Sequence, residues 1–99
     1  MMASKESDSL CLTGLVKGRV QGVFFRAETK AQAERLGLSG WVRNTHEGHV
    51  EVLIAGPVEQ VRLMQAWLLA GPPRARVDSL ELAECASESA AASGFEIRY

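Results

Sequence analysis

The chain has 99 residues and a mass of 10.7 kDa, which suits one small domain with a single hydrophobic core, because a chain of this size buries about 65% of its surface on folding. Its 46% apolar and 23% charged residues are typical of a globular domain and exclude the disordered, collagen-like and disulfide-dense classes. The net charge of −1 combines +4 between Lys17 and Arg43 with −5 elsewhere. This balance disfavours a basic face for duplex DNA and favours a local site for a small anion.

The first segment, residues 1–9 (MMASKESDS), is polar and lacks the apolar stretch of a secretory signal. It predicts a disordered N-terminal tail ahead of one domain at 10–99. No apolar run reaches membrane-spanning length, so we expect a cytoplasmic protein. The two cysteines, Cys11 and Cys85, have no spacing typical of zinc or thioredoxin-like sites, and no metal is expected.

The first two elements are a strand and a helix. Alternating apolar residues from Leu10 to Val16 predict a buried strand, followed by a loop at 18–24. The pattern then changes to steps of three and four residues, which predicts a helix over 26–36 with a C-cap at Gly37. Its inward face comprises Phe25, Thr29, Ala33 and Leu36.

The middle of the chain predicts a hairpin and a second helix. Alternating runs at 40–45 and 49–55, joined by a turn ending at Gly48, are typical of a β-hairpin. A helix over 57–70 follows, with Pro57 suited to its first position and Gly71-Pro72-Pro73 ending it. Its inward face comprises Val58, Val61, Met64 and Leu68.

The last part predicts two strands. Residues 77–84 alternate irregularly between Val77 and Leu80, which suggests a bulge, and residues 86–93 form a low-complexity loop before a strand over 95–99. The order strand, helix, strand, strand, helix, strand, with an extra terminal strand, favours an α+β, ferredoxin-like (split βαβ) sandwich. Its two helices would cover one face of a four- to five-stranded, mainly antiparallel sheet.

The most informative stretch is GRVQGVFFR at 18–26, where a strand meets a helix. Inward-turned N–H groups and the positive helix end at such a junction suit a phosphate or carboxylate. The segment is neither a Walker A loop nor a dinucleotide GxGxxG. The alternative is that Gly18 and Gly22 merely turn the chain.

Two side chains strengthen the anion-site interpretation. Arg26, placed about one turn into the helix, has a planar guanidinium that matches two phosphoryl oxygens. Asn44, at the end of a strand before the hairpin turn, has an acceptor and two donors with which to orient a water. Alone, each is also typical of an ordinary surface or turn residue.

Together these segments resemble the acylphosphatase family: residues 18–26 its phosphate-binding signature and GWVRNT at 40–45 its second signature. The similarity extends from about Leu10 through Tyr99, and the family's fold agrees with the one predicted above. The resemblance implies a catalytic arginine at Arg26 and a water-positioning asparagine at Asn44. The phosphate-binding positions that it implies are Gln21, Gly22, Val23, Phe24, Phe25 and Arg26.

The implied activity is hydrolysis of carboxyl-phosphate mixed anhydrides to carboxylate and inorganic phosphate by direct water attack, with no cofactor, metal or covalent enzyme intermediate. Expected partners are a small acyl phosphate and inorganic phosphate, as product and inhibitor. We expect a monomer that binds neither nucleic acid nor membrane. The alternative is a non-catalytic ferredoxin-like module that binds a small phosphorylated anion. RNA binding on the sheet would need exposed aromatics, which 10–16 and 50–54 lack.

The cysteines lead to a separate expectation. In a ferredoxin-like sheet the first and last main strands are antiparallel neighbours, so Cys11 and Cys85 lie at adjacent ends. A disulfide is conceivable there, but a reducing cytoplasm and the ordinary core role of small thiols favour the unbridged state.

Overall fold

The computed structural model describes residues 9–22, 24–86 and 94–99. Residues 1–8 of the predicted tail, and all but Ala86 of the loop predicted at 86–93, lie outside these ranges. The elements follow the predicted order. They are β1 (Ser9–Arg19), α1 (Phe25–Arg35), β2 (Ser39–Asn44), β3 (Val50–Pro57), α2 (Val58–Ala70), β4 (Arg76–Glu84) and β5 (Phe95–Arg98).

The strands form one sheet in the order β4-β1-β3-β2-β5. β1 pairs antiparallel with both β3 and β4, and β2 pairs antiparallel with β3. β5 is parallel to β2 and lies at the edge. This mixed, mainly antiparallel sheet with two helices confirms the predicted ferredoxin-like sandwich.

The core lies between the helices and one sheet face, where alternate strand residues point inward. In β3, Val50, Val52 and Ile54 are fully buried, and in α2 the buried positions are Val61, Met64 and Leu68. The predicted inward face of α1 is also buried at Phe25, Thr29 and Ala33. Leu36 and Val58 are only partly buried. Leu36 is the C-cap of α1 and Val58 is the first residue of α2, so both lie at helix ends, away from the middle of the inward faces.

Both helices begin one residue away from their predicted starts. α1 begins at Phe25, so Arg26 is its second residue and lies in the first turn, whereas the sequence placed it about one turn in. The cause is Phe24, whose left-handed backbone (φ 63°, ψ 23°) turns the chain directly into the helix. Pro57 precedes α2 as its N-cap, because its ψ of 141° is extended.

A bulge interrupts the pairing of β1 with β4, as the irregular alternation predicted. Lys17 pairs with Ser79 and Gly18 with Val77, which leaves Asp78 as the extra residue. Gly18 has a φ of 137°, and a Cβ there would collide with the carbonyl oxygen of Arg76. Glycine is therefore required where β1 leads into the loop before α1.

The cysteines form a disulfide, which corrects the expectation of free thiols. Cys11 and Cys85 are joined with their Cα atoms 5.2 Å apart. The Cys85 N–H also donates to the Cys11 carbonyl at 2.9 Å. The strand argument placed the two residues correctly as neighbours, whereas the expected redox state was wrong for this structure.

Candidate active site

The loop between β1 and α1 is anchored on both sides by buried side chains. Val20 and Phe25 are each 1% exposed. Phe25 also packs on Trp67 of α2, with ring centroids 6.2 Å apart. Because both anchors face the core, they fix the two ends of the loop beside the C-terminal end of β1.

The N-terminus of α1 presents free N–H donors beside this loop. The first helical hydrogen bond runs from the Glu28 N–H to the Phe24 carbonyl at 3.0 Å, so the N–H groups of Phe25, Arg26 and Ala27 have no helical acceptor. The N-cap residue Phe24 has no polar side-chain atom to satisfy them. These donors and the positive end of the helix dipole favour a bound anion.

Arg26 extends from this first turn towards β5. Its Nη1 donates to the Arg98 carbonyl at 3.5 Å, and its guanidinium carbon lies 4.8 Å from the centroid of the Tyr99 ring. The side chain is partly exposed to solvent. These contacts orient the guanidinium while leaving donors for a ligand.

Asn44 is the last residue of β2. Its Oδ1 is buried and has no hydrogen-bond partner among the described residues. A buried amide oxygen without a partner is costly, which favours a bound water or ligand group at this position. Asn44 therefore has the free hydrogen-bonding capacity that orientation of a water requires.

Gln21 joins the loop to the hairpin turn that follows Asn44. Its Nε2 donates to the Thr45 carbonyl at 2.9 Å and to the His49 carbonyl at 2.7 Å. The turn is further closed by the Thr45 N–H, which donates to the His49 carbonyl at 2.9 Å. The loop that leads to Arg26 and the strand that carries Asn44 are thus fixed to each other.

A cavity of about 310 Å³ brings the two main candidates together. Its lining residues are Val20, Gly22, Phe24, Phe25, Arg26, Ala27, Asn44, Ile97 and Tyr99. Four of the six expected phosphate-binding residues line it, and Gln21 does not, since its side chain binds the hairpin. The expected position Val23 lies outside the described residues.

Sequence reasoning missed the contribution of β5 to this cavity. Ile97 and Tyr99 line it because β5 runs parallel to β2, with Arg98 beside Arg43 and therefore close to Asn44. No local motif indicates this placement, which depends on strand order. The sequence also did not predict that the Gln21 side chain links the loop to the hairpin turn. The one available signal was the position of Gln21 between Gly18 and Gly22.

Within residues 9–22, 24–86 and 94–99, no three His, Cys, Asp or Glu side chains are grouped so as to hold a metal ion. Neither described helix is long and apolar enough to cross a membrane.

The ferredoxin-like fold and the cavity at the N-terminus of α1 fit the class of anion-binding enzymes, and the comparisons with known proteins identify the family. The family model for Acylphosphatase matches residues 12–97. The acylphosphatase of Pseudomonas paraeruginosa is 58% identical over 73 residues, which are 74% of this chain and 80% of that protein.

Two solved structures agree with this match. An acylphosphatase from Coxiella burnetii has a TM-score of 0.87 and 38% identity, covering 98% of this chain and 100% of that chain. The acylphosphatase from Bacillus subtilis has a TM-score of 0.83 and 32% identity, covering 92% and 99%. The chain belongs to the acylphosphatase family, as its motifs predicted, and is an enzyme of acyl phosphate hydrolysis.

Proposed function

We propose that this protein hydrolyses acyl phosphates by direct attack of water, with Arg26 and Asn44 as its catalytic residues. The observation that carries the proposal is their meeting in one cavity at the N-terminus of α1. Arg26 and the N–H groups of the 21–26 loop would bind the phosphoryl oxygens. Asn44, through its unpartnered Oδ1, would orient the attacking water.

The reaction is balanced with the substrate and one water as its only reactants. The water oxygen bonds to phosphorus as the bond between phosphorus and the acyl oxygen breaks, and the acyl group leaves as a carboxylate. A phosphoryl oxygen of the substrate accepts the water proton, because an amide such as Asn44 is not a base at neutral pH. Catalysis then depends on positioning and on stabilising charge at the equatorial oxygens.

The decisive experiment is steady-state hydrolysis of a synthetic acyl phosphate by purified protein in the presence of a chelator. We expect turnover in wild type and its near abolition in Arg26→Gln, with weaker inhibition by free phosphate. Arg26→Lys should rescue poorly, because an ammonium cannot reproduce the bidentate fork. Arg62→Gln, on the exposed face of α2, is the matched control. An active, folded Arg26→Gln enzyme contradicts the assignment.

The same proposal covers the remaining properties of the protein. Inorganic phosphate, as the product, should compete for the cavity, and the protein should act as a monomer without nucleic acid. Light scattering and phosphate inhibition constants test these points. A non-catalytic anion-binding module has no support from the comparisons.

A cytoplasmic location is also part of the proposal. Fractionation of cells tests it, and recovery of the protein outside the cytoplasmic fraction would contradict it.

A further inference from the structure

A groove of about 620 Å³ meets the active cavity at Asn44 and Tyr99, which line both. Its other lining residues lie on β1, at the end of β2, in the hairpin turn and on β3; they are Leu15, Arg43, Thr45, His46, Glu47 and Glu51. Since Asn44 orients the attacking water in the proposed reaction, the groove opens on the side of the nucleophile. Hydrolysis by water alone gives a groove of this size no role.

The chemistry of Asn44 does not restrict the nucleophile to water. Its buried Oδ1, which has no partner among the described residues, can accept a hydrogen bond from the O–H of an alcohol as well as from water. The amide contributes position and not basicity. The phosphoryl oxygen that accepts the proton belongs to the substrate, so it is present with either nucleophile. Discrimination against alcohols would therefore need a steric barrier on this side of the cavity.

The described residues form no such barrier where the groove meets the cavity. The groove has about 620 Å³ of space, whereas one water occupies about 30 Å³ in the liquid. The Tyr99 side chain at this junction is 98% exposed, so other side chains do not pack over it. A molecule several times larger than water can therefore lie beside Asn44.

The charges in the groove select the class of alcohol. Arg43 contacts the Glu51 Oε1 through Nη2 at 2.6 Å and through Nε at 2.7 Å, so these two charges cancel. The exposed Glu47 leaves one negative charge in the groove when histidine is counted as neutral. The Glu47 carboxylate and the His46 imidazole also offer hydrogen-bonding atoms to hydroxyl groups. The groove therefore favours neutral and cationic hydroxyl compounds and disfavours anions.

We propose that this groove binds a small neutral or cationic alcohol, and that the enzyme transfers the phosphoryl group to that alcohol as well as to water. The proposal rests on the function proposed above. The alcohol oxygen bonds to phosphorus as the bond between phosphorus and the acyl oxygen breaks, and the hydroxyl proton passes to a phosphoryl oxygen. The products are a phosphate monoester and a carboxylate, so the acyl phosphate and the alcohol are the only reactants.

The test follows the turnover of acetyl phosphate by phosphorus NMR with choline, ethylene glycol or glycolate at equal concentration. The measured quantity is the ratio of phosphate monoester to inorganic phosphate, after subtraction of a blank without enzyme. Because both products come from one active site, the ratio does not depend on the folded fraction. We expect monoester with choline and ethylene glycol, and the least with glycolate. The preference for choline over ethylene glycol should fall about two- to threefold in Glu47→Gln and persist in Glu59→Gln, an exposed carboxylate of α2.

A second variant tests whether the alcohol occupies the groove. His46→Trp places a large ring in the groove from an exposed turn position, so the monoester ratio should fall about fivefold while hydrolysis continues, since water still reaches Asn44. Arg62→Trp, which adds the same ring on the exposed face of α2, should leave the ratio unchanged. Hydrolysis without monoester above the blank, or a wild-type ratio in His46→Trp, would overturn the proposal and leave the proposed function intact. Wild-type protein that does not turn over acetyl phosphate would refute the proposed function itself.

Discussion

Replacing Gln21 tests whether the link between loop and hairpin supports catalysis. In Gln21→Ala both hydrogen bonds from Nε2, to the Thr45 and His49 carbonyls, are lost. Each such bond contributes about 0.5–1.5 kcal/mol. The Thr45 carbonyl still accepts from Gly48 and the His49 carbonyl still accepts from Thr45. The loss should therefore lie at the lower end, about 1–2 kcal/mol in the free energy of unfolding.

The effect on activity should exceed what this modest destabilisation implies. Thr45 directly follows Asn44, so a loosened turn lets the Asn44 amide move relative to Arg26. We expect kcat to fall about tenfold or more, with a smaller change in phosphate affinity. Gln21→Glu should be worse on both counts, because an ionised carboxylate has no donor and would face two carbonyl oxygens.

Urea unfolding and steady-state kinetics measure both effects. Gln65→Ala is the control: that side chain accepts one exposed hydrogen bond from Arg62 at the surface of α2, and its removal should change stability by less than about 0.5 kcal/mol. A Gln21→Glu protein with wild-type stability and kcat would refute the bridging role.

Three further predictions follow from the site and the core. Asn44→Ala should lower kcat about 100-fold and leave the phosphate inhibition constant nearly unchanged; a wild-type kcat would rule out the water-positioning role. Met64→Ala should cost about 2–5 kcal/mol in urea unfolding, whereas the exposed Leu63→Ala should be nearly neutral, and equal effects would show that the α2 face is misassigned. Reducing the Cys11–Cys85 bridge, which closes a loop of 74 residues, should cost about 2–4 kcal/mol, and unchanged stability in dithiothreitol would contradict this.

The fold was predictable because its local signals agreed with one another. The alternation in the strands and the Gly71-Pro72 stop fit one architecture. The spacing of four, four and three between Phe25, Thr29, Ala33 and Leu36 fits it as well. The bulge at Asp78 was also indicated, by the irregular alternation between Val77 and Leu80. The start of α1 was harder to predict from the sequence, because Phe24 adopts a left-handed conformation that its residue type disfavours.

The candidate site was predictable only in part. The motif around Arg26 and the position of Asn44 were visible because they lie in short local segments. The Gln21 side-chain bonds and the Tyr99 ring were not, because they depend on which distant strands become neighbours. The disulfide was missed for another reason: strand geometry placed Cys11 beside Cys85, but an assumed compartment decided the redox state.

The edge position of β5 has a consequence for how the enzyme loses activity. This strand has four residues and pairs only with β2 among the described strands, so its local opening should require less free energy than global unfolding. Opening it removes the Arg98 carbonyl and the Tyr99 ring from Arg26 while the central strands stay paired. The enzyme should therefore pass through a folded but inactive form as the denaturant concentration or the temperature rises. The opening of β5, and not the unfolding of the core, should then limit the conditions under which the enzyme is active.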